Sequence, residues 1–213
     1  MIAQSHITAP TEVELEFEFD RQVDALALTG LPGLLEVKDE CFRAMLEPLR
    51  DLLPRRTARG DGIPFVVVLP DAPVDRLLST VHTAAGEGCT ALLPAELERF
   101  RPLPELDIPA APYLLLDVDP GAESADLPPA DAEHRILASG RSPLTIAEGL
   151  AVLVSDSGVL RSGTSFSLLG SSAGNDRVPA LWAGDSGPTL KASERSLAHP
   201  GLGAASCGGR RAA

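Results

Sequence analysis

Two carboxylates stand at the end of an apolar run in Tyr113-Leu114-Leu115-Leu116-Asp117-Val118-Asp119. Side chains alternate along a strand, so a D-x-D ending puts both acids on one side of the chain. Acids at the carboxyl end of a buried strand are where α/β folds hold Mg²⁺ and phosphate. Asp117 and Asp119 are therefore candidate metal ligands and candidate catalytic groups, with Mg²⁺ as the cofactor such a reading needs. A second constellation runs from Phe166 to Trp182: two apolar stretches flank a Gly-punctuated turn that carries the pair Asp176-Arg177, and the chain's only Trp closes it. An Arg on such a turn can clamp a carboxylate bidentately. Asp176, Arg177, Trp182 and His199 are the candidate ligand-binding residues. Each has a plainer structural reading. Strand-end acids are often solvated, a turn Arg often tethers its own loop to a nearby carboxylate, and Gly170 and Gly174 suit backbone turns.

The D-x-D run looks like the nucleophile motif of haloacid-dehalogenase phosphatases, whose first Asp attacks phosphorus and whose second moves a proton. The likeness is incomplete. Ala173 stands where an acid is expected before Gly174, Lys191 follows the turn rather than preceding it, and the motif falls in mid-chain. The histidines His6, His82, His134 and His199 are scattered without ligand or triad spacing, and His199, near Cys207, is the best single reactive candidate among them. Ser171 and Ser172 lack the G-x-S-x-G elbow, and no P-loop or dinucleotide fingerprint occurs.

Composition narrows the field. The 213 residues carry a net charge of −12, a sign that repels phosphate backbones and anionic membrane surfaces, so neither nucleic acid nor membrane is an expected partner. A 44% apolar fraction with few aromatics implies a core of Leu, Val, Ile and Ala. Cys41, Cys89 and Cys207 have no zinc-type spacing, and reduced thiols point to the cytosol. No secretory signal or membrane-length apolar run is evident.

The elements that must position these residues follow from periodicity. Glu12 to Asp20 alternates acid and apolar, which predicts an extended entry; from Phe19 the spacing turns helical to about Leu28. A helix from Asp39 to about Leu53 contains Pro48 and should bend there. A basic loop with Arg55, Arg56 and Arg59 precedes the buried strand Ile63–Leu69. Helices are expected over 73–85, 130–139 and, behind the capping box Thr145-x-x-Glu148, to about Val154. Tyr113–Val118, Phe166–Leu169 and Val178–Trp182 read as strands. Beyond Ser186 the pattern fades.

Five stretches together resemble an actinobacterial family known only as a domain of unknown function (5701): Phe19–Val23, Phe42–Arg50, Tyr113–Asp119, Gly140–Gly149 and the Phe166–Trp182 block. The resemblance runs from about Glu18 to Cys207. It implies a cytosolic bacterial protein and brings no assigned activity. Relatives tend to carry Cys at Ser165, Arg-Cys at Ser172-Ala173, an aromatic-Cys-aromatic cluster at Ala192-Ser193-Glu194 and a second Trp near Gly201. Any family activity that uses those groups is lost or altered here.

The sequence thus predicts an α+β (or α/β) single domain over 12–207, with a flexible N-terminus (1–11) and a frayed tail (208–213). One mixed sheet of four to six strands would unite Ile63–Leu69, Tyr113–Val118, Phe166–Leu169 and Val178–Trp182, because strands apolar on both faces need cover on both sides. The expected role is a non-catalytic cytoplasmic protein that binds a small molecule or a protein partner through Asp176, Arg177, Trp182 and His199. The alternative is a metal-dependent, phosphatase-like hydrolase using Asp117 and Asp119.

Overall fold

Thr11 opens the first helix. Its hydroxyl accepts from the Glu14 amide while the Glu14 carboxylate accepts from the Thr11 amide, a reciprocal capping box. Helix α1 then runs over Glu12–Leu28 without a break. The acid–apolar alternation that predicted an extended entry is overridden. Leu15, Phe19, Gln22, Val23 and Leu26 share the buried face, and Val13 and Phe17 turn to solvent at 60% and 71% exposure. The computed structural model describes residues 10–55, 62–160 and 164–213. Most of the expected flexible N-terminus, and Arg56 and Arg59 of the basic loop, lie outside that range.

Four more helices matter to the architecture: α2 (Asp39–Leu46), α3 (Val74–Thr80), α4 (Pro129–Ala138) and α5 (Ile146–Ser155). Pro48 acts as its missing N–H dictates, and α2 gives way to a 3₁₀ turn over Glu47–Leu52. The principal strands are β1 (Ile63–Val68), β2 (Cys89–Thr90), β3 (Tyr113–Val118), β4 (Ser142–Pro143), β5 (Ser165–Ser167), β6 (Arg177–Gly184), β7 (Gly187–Glu194), β8 (Leu202–Ala204), β9 (Ser206–Cys207) and β10 (Gly209–Ala212). The fold is mixed α+β.

The four expected strands all form, but not in one sheet. β1, β3 and β10 make an antiparallel sheet with β3 at its centre, whereas a five-stranded mixed sheet runs β8-β5-β6-β7-β2. Two segments that sequence periodicity missed cause the division. β7 pairs with β6 across eight residue pairs, from Arg177↔Glu194 to Gly184↔Gly187. The expected frayed tail is instead β10, which fills the free edge of β3 with Gly209 opposite Leu116 and Ala212 opposite Tyr113. The final twelve residues therefore join both sheets: β8 runs parallel to β5, β9 pairs with β4, and β10 finishes on β3. One buried apolar cluster still unites the two layers, with Phe65, Leu115, Leu150, Phe166 and Leu181 among its members.

Gln22 closes the outer edge of β1. Its amide donates to the Phe65 carbonyl at 3.0 Å and accepts from the Val67 amide at 2.8 Å. A buried helix side chain thereby replaces the missing neighbouring strand and covers an edge that would otherwise invite pairing.

The tail is held by charge as well as by ladder bonds. Arg210 reaches the Glu148 carboxylate with Nε at 2.5 Å and Nη2 at 2.9 Å, and the two side chains are 7% and 0% exposed. Tyr113 donates its hydroxyl to the same carboxylate at 2.9 Å, and the Thr145 amide donates at 2.7 Å. Arg210 also donates to Ser142 Oγ and the Pro143 carbonyl. Removing one member of a buried pair leaves an uncompensated charge, which costs about 3–5 kcal/mol. Arg210→Met should lose about that much in urea denaturation, and the further change Glu148→Gln should recover most of it by removing the stranded charge. A loss below about 1 kcal/mol in the single variant would show that the tail is held by its ladder bonds alone.

Candidate functional site

The D-x-D motif is consumed by architecture. Asp117 adopts a left-handed backbone (φ 51), so the strict alternation expected through Asp119 does not hold there. Its carboxylate pairs with Arg141 Nη1 at 2.6 Å, and Arg141 also donates to the Asp117 carbonyl and, at 2.9 Å, to Ser206 Oγ. Asp119 accepts from the Gly121 amide at 2.7 Å, and its backbone bridges Ser206. Gly208 permits this crossing, because a Cβ there would lie 3.0 Å from that of Asp117. Among the described residues no three His, Cys, Asp or Glu side chains gather as a metal site would need. The structure gives the two acids separate partners, Arg141 for Asp117 and the Gly121 amide for Asp119.

Much of the Gly140–Gly149 and Phe166–Trp182 stretches is committed in the same way. Thr145 and Glu148 form the expected capping box of α5. The Gly170 amide donates to the Leu144 carbonyl at 2.8 Å, and Ser171 Oγ accepts from the Ile146 amide at 3.0 Å. A Cβ on Gly170 would meet the Pro143 carbonyl oxygen at 2.7 Å, so the approach of the two segments requires glycine.

Arg177 and Asp176 take the plainer roles weighed for them. The Arg177 guanidinium pairs with Glu96, and its backbone amide is held by Asn175 Oδ1. Asp176 is exposed, and its carbonyl accepts from the Arg195 amide at 3.0 Å. Arg177 nevertheless lines a hollow with Trp182 and His199, so three of the four expected ligand residues do meet.

That hollow, of about 510 Å³, is also bordered by Lys191, Ser193, Glu194 and Leu197. The β6–β7 hairpin positions most of it. Register pairs Ala180 with Lys191 and Trp182 with Thr189, so Lys191 and Trp182 are diagonal neighbours on one face. Lys191 Nζ sits 4.4 Å from the centre of the Trp182 ring, a cation–π contact. His199 meets the indole edge-on, with centroids 5.7 Å apart and planes at 85°. Its loop is pinned on either side, by Arg195 pairing with Glu133 and by the Gly201 amide donating to Asp126 at 2.8 Å. Trp182 Nε1 and His199 Nε2 are both buried, and neither has a hydrogen-bond partner among the described residues. Lys191 has no carboxylate at ion-pair distance among the described residues. Sequence reasoning weighed Lys191, one of only two lysines, only as a misplaced phosphatase lysine and not as a ligand contact.

The chain belongs to the family of unknown function DUF5701. The family's sequence profile matches residues 25–213, which includes the tail strand and the whole hairpin. No curated protein and no solved structure matches the chain. Membership of DUF5701 accordingly assigns no activity. No helix among the described residues is long and apolar enough to cross a membrane.

Cys207 lies fully buried beside this framework, and burial raises its thiol from the ordinary 9.0 to about 11, against an opposing pull from the Arg210 cation. The folded state therefore holds the proton more tightly than the unfolded chain. The resulting stability, about 2–3 kcal/mol, is present below pH 9 and lost as pH rises through 11. Denaturation at pH 8 to 11 should show a steeper decline in the wild type than in Cys207→Ala, and equal slopes would contradict the assignment. In native protein a thiol reagent should titrate Cys41 and Cys89, which are exposed, well before Cys207.

Proposed function

We propose that this DUF5701 protein is a non-catalytic, cytoplasmic binding protein whose ligand, a small molecule or a short segment of a partner, sits in the hollow around Trp182, Lys191 and His199. The observation that carries this reading is the pair of buried ring nitrogens, Trp182 Nε1 and His199 Nε2, without a hydrogen-bond partner among the described residues, beside an exposed Lys191 that has no carboxylate at ion-pair distance there. A buried donor or acceptor left without a partner costs about 1–3 kcal/mol, so two of them on rings that pack together support a surface that is completed by something else. The volume lies within the usual range for small-molecule sites.

The hydrolase alternative has no comparable support. Asp117 is neutralised by Arg141, Asp119 closes a turn, and neither is joined by a third metal-ligating group among the described residues. The acidic net charge supports neither nucleic acid nor an anionic membrane as partner.

Trp182 is the only Trp, so its emission reports on this hollow alone. A screen of metabolites and short peptides, read by Trp182 fluorescence and by thermal stabilisation together, should yield compounds that shift both. A ligand present at 100 times its Kd stabilises by about 2.7 kcal/mol. Compounds that raise the melting temperature without touching Trp182 emission would move the site elsewhere, and a screen without hits in either readout would oppose the binding role.

A further inference from the structure

Resting on that binding role, we infer that the hollow takes a small molecule through an oxyanion, a carboxylate or a phosphate group, with Lys191 as its principal contact. Hydrogen-bond chemistry supplies the first argument. Lys191 and the Trp182 indole are donors only, and His199 Nε2 donates in one tautomer and in the protonated ring. A ligand that satisfies all three must bring acceptors. Neutral or cationic donors would leave Trp182 Nε1 as it is.

Charge supplies the second. The chain has 30 acidic side chains against 18 Lys and Arg, yet its Lys191 ammonium has no acidic partner among the described residues and rests on an aromatic ring instead. Arg177 brings a second cation to the same rim, although Glu96 already occupies it. Among the described lining residues Glu194 is the acid, and it disfavours highly charged anions, which suits a singly charged group better than a polyphosphate.

Geometry supplies the third. Trp182 and His199 belong to different segments, a strand and the loop after β7, and they meet at right angles with their free nitrogens buried. A turn of the partly exposed His199 ring about its side-chain bonds opens that contact. An acceptor drawn in by Lys191 then meets nitrogens that have no hydrogen-bond partner among the described residues. The binding free energy includes the hydrogen bonds those groups lack, so anions gain over isosteric neutral molecules.

The test is a matched comparison on the full chain at low ionic strength, read by Trp182 emission and by calorimetry. The probes are benzoate against benzyl alcohol, and inorganic phosphate against neutral glycerol. Benzoate or phosphate should bind at least tenfold more tightly than its neutral counterpart, and the preference should shrink with added salt. Whichever of the two responds identifies the oxyanion. Lys191→Met, which keeps the apolar stem, should lose tenfold or more in anion affinity, and Lys191→Arg should retain most of it. Lys191 is exposed, so both variants should fold, as circular dichroism would verify. Equal affinity for charged and neutral probes, or unchanged anion binding in Lys191→Met, overturns the oxyanion assignment but leaves the hollow as a binding site. No binding of either anion also overturns it, whereas loss of the site itself is read from the broader screen.

Discussion

The Glu148 carboxylate is the point on which the structure turns. It is fully buried at the start of α5 and receives four groups: the Thr145 amide, the Tyr113 hydroxyl and two nitrogens of Arg210. Those donors come from a helix cap, the central strand of the smaller sheet and the last strand of the chain. A charge placed in an apolar interior is tolerated only when it is paired and its lone pairs are filled. Satisfying Glu148 therefore obliges three distant stretches of sequence to meet at one place. Burial and the neighbouring carboxylate push the Tyr113 hydroxyl upward, which keeps it protonated and donating.

Arg141 repeats the device one step away. It ties Asp117 to Ser206, as Arg210 ties Glu148 to Ser142 and Pro143. The two arginines face each other's segments, so residues 141–148 and 206–210 are laced together from both sides. Between them lies Cys207, whose thiol is buried and hard to ionise. This lacing explains why the most motif-like stretches of the chain look chemical. Carboxylates at a strand end, a capping box and Gly-Ser turns are the parts of an active site, and here they serve as fastenings.

The Trp182 hollow lies on one face of the β6–β7 hairpin. The end of that sheet face around Val178 is covered by α4, through Ala132 and Ile136. The end around Trp182 is flanked instead by Lys191 and the pinned loop that carries His199. The hairpin register is what gives the hollow its set of strand side chains.

Local physics made part of this legible from the amino acids. The capping box at Thr145, the break at Pro48 and the buried runs at Ile63–Val68 and Tyr113–Val118 all follow from short-range propensity and periodicity. Where the reading failed, two local signals competed or none was present. Glu12–Asp20 carries both a strand-like alternation and a helix cap, and burial of Leu15, Phe19 and Val23 chose the helix. Gly209–Ala212 has no strand-forming composition, and it became a strand because Arg210 had a buried partner 62 residues earlier. The α+β class, the acidic charge and the residues worth testing were thus set by the chain's own order of residue types. The division into two sheets, the loss of Asp117 to Arg141 and the meeting of Lys191 with His199 were decided only in the folded molecule, because each depends on a pairing between groups far apart in sequence, whose free energy no local pattern encodes.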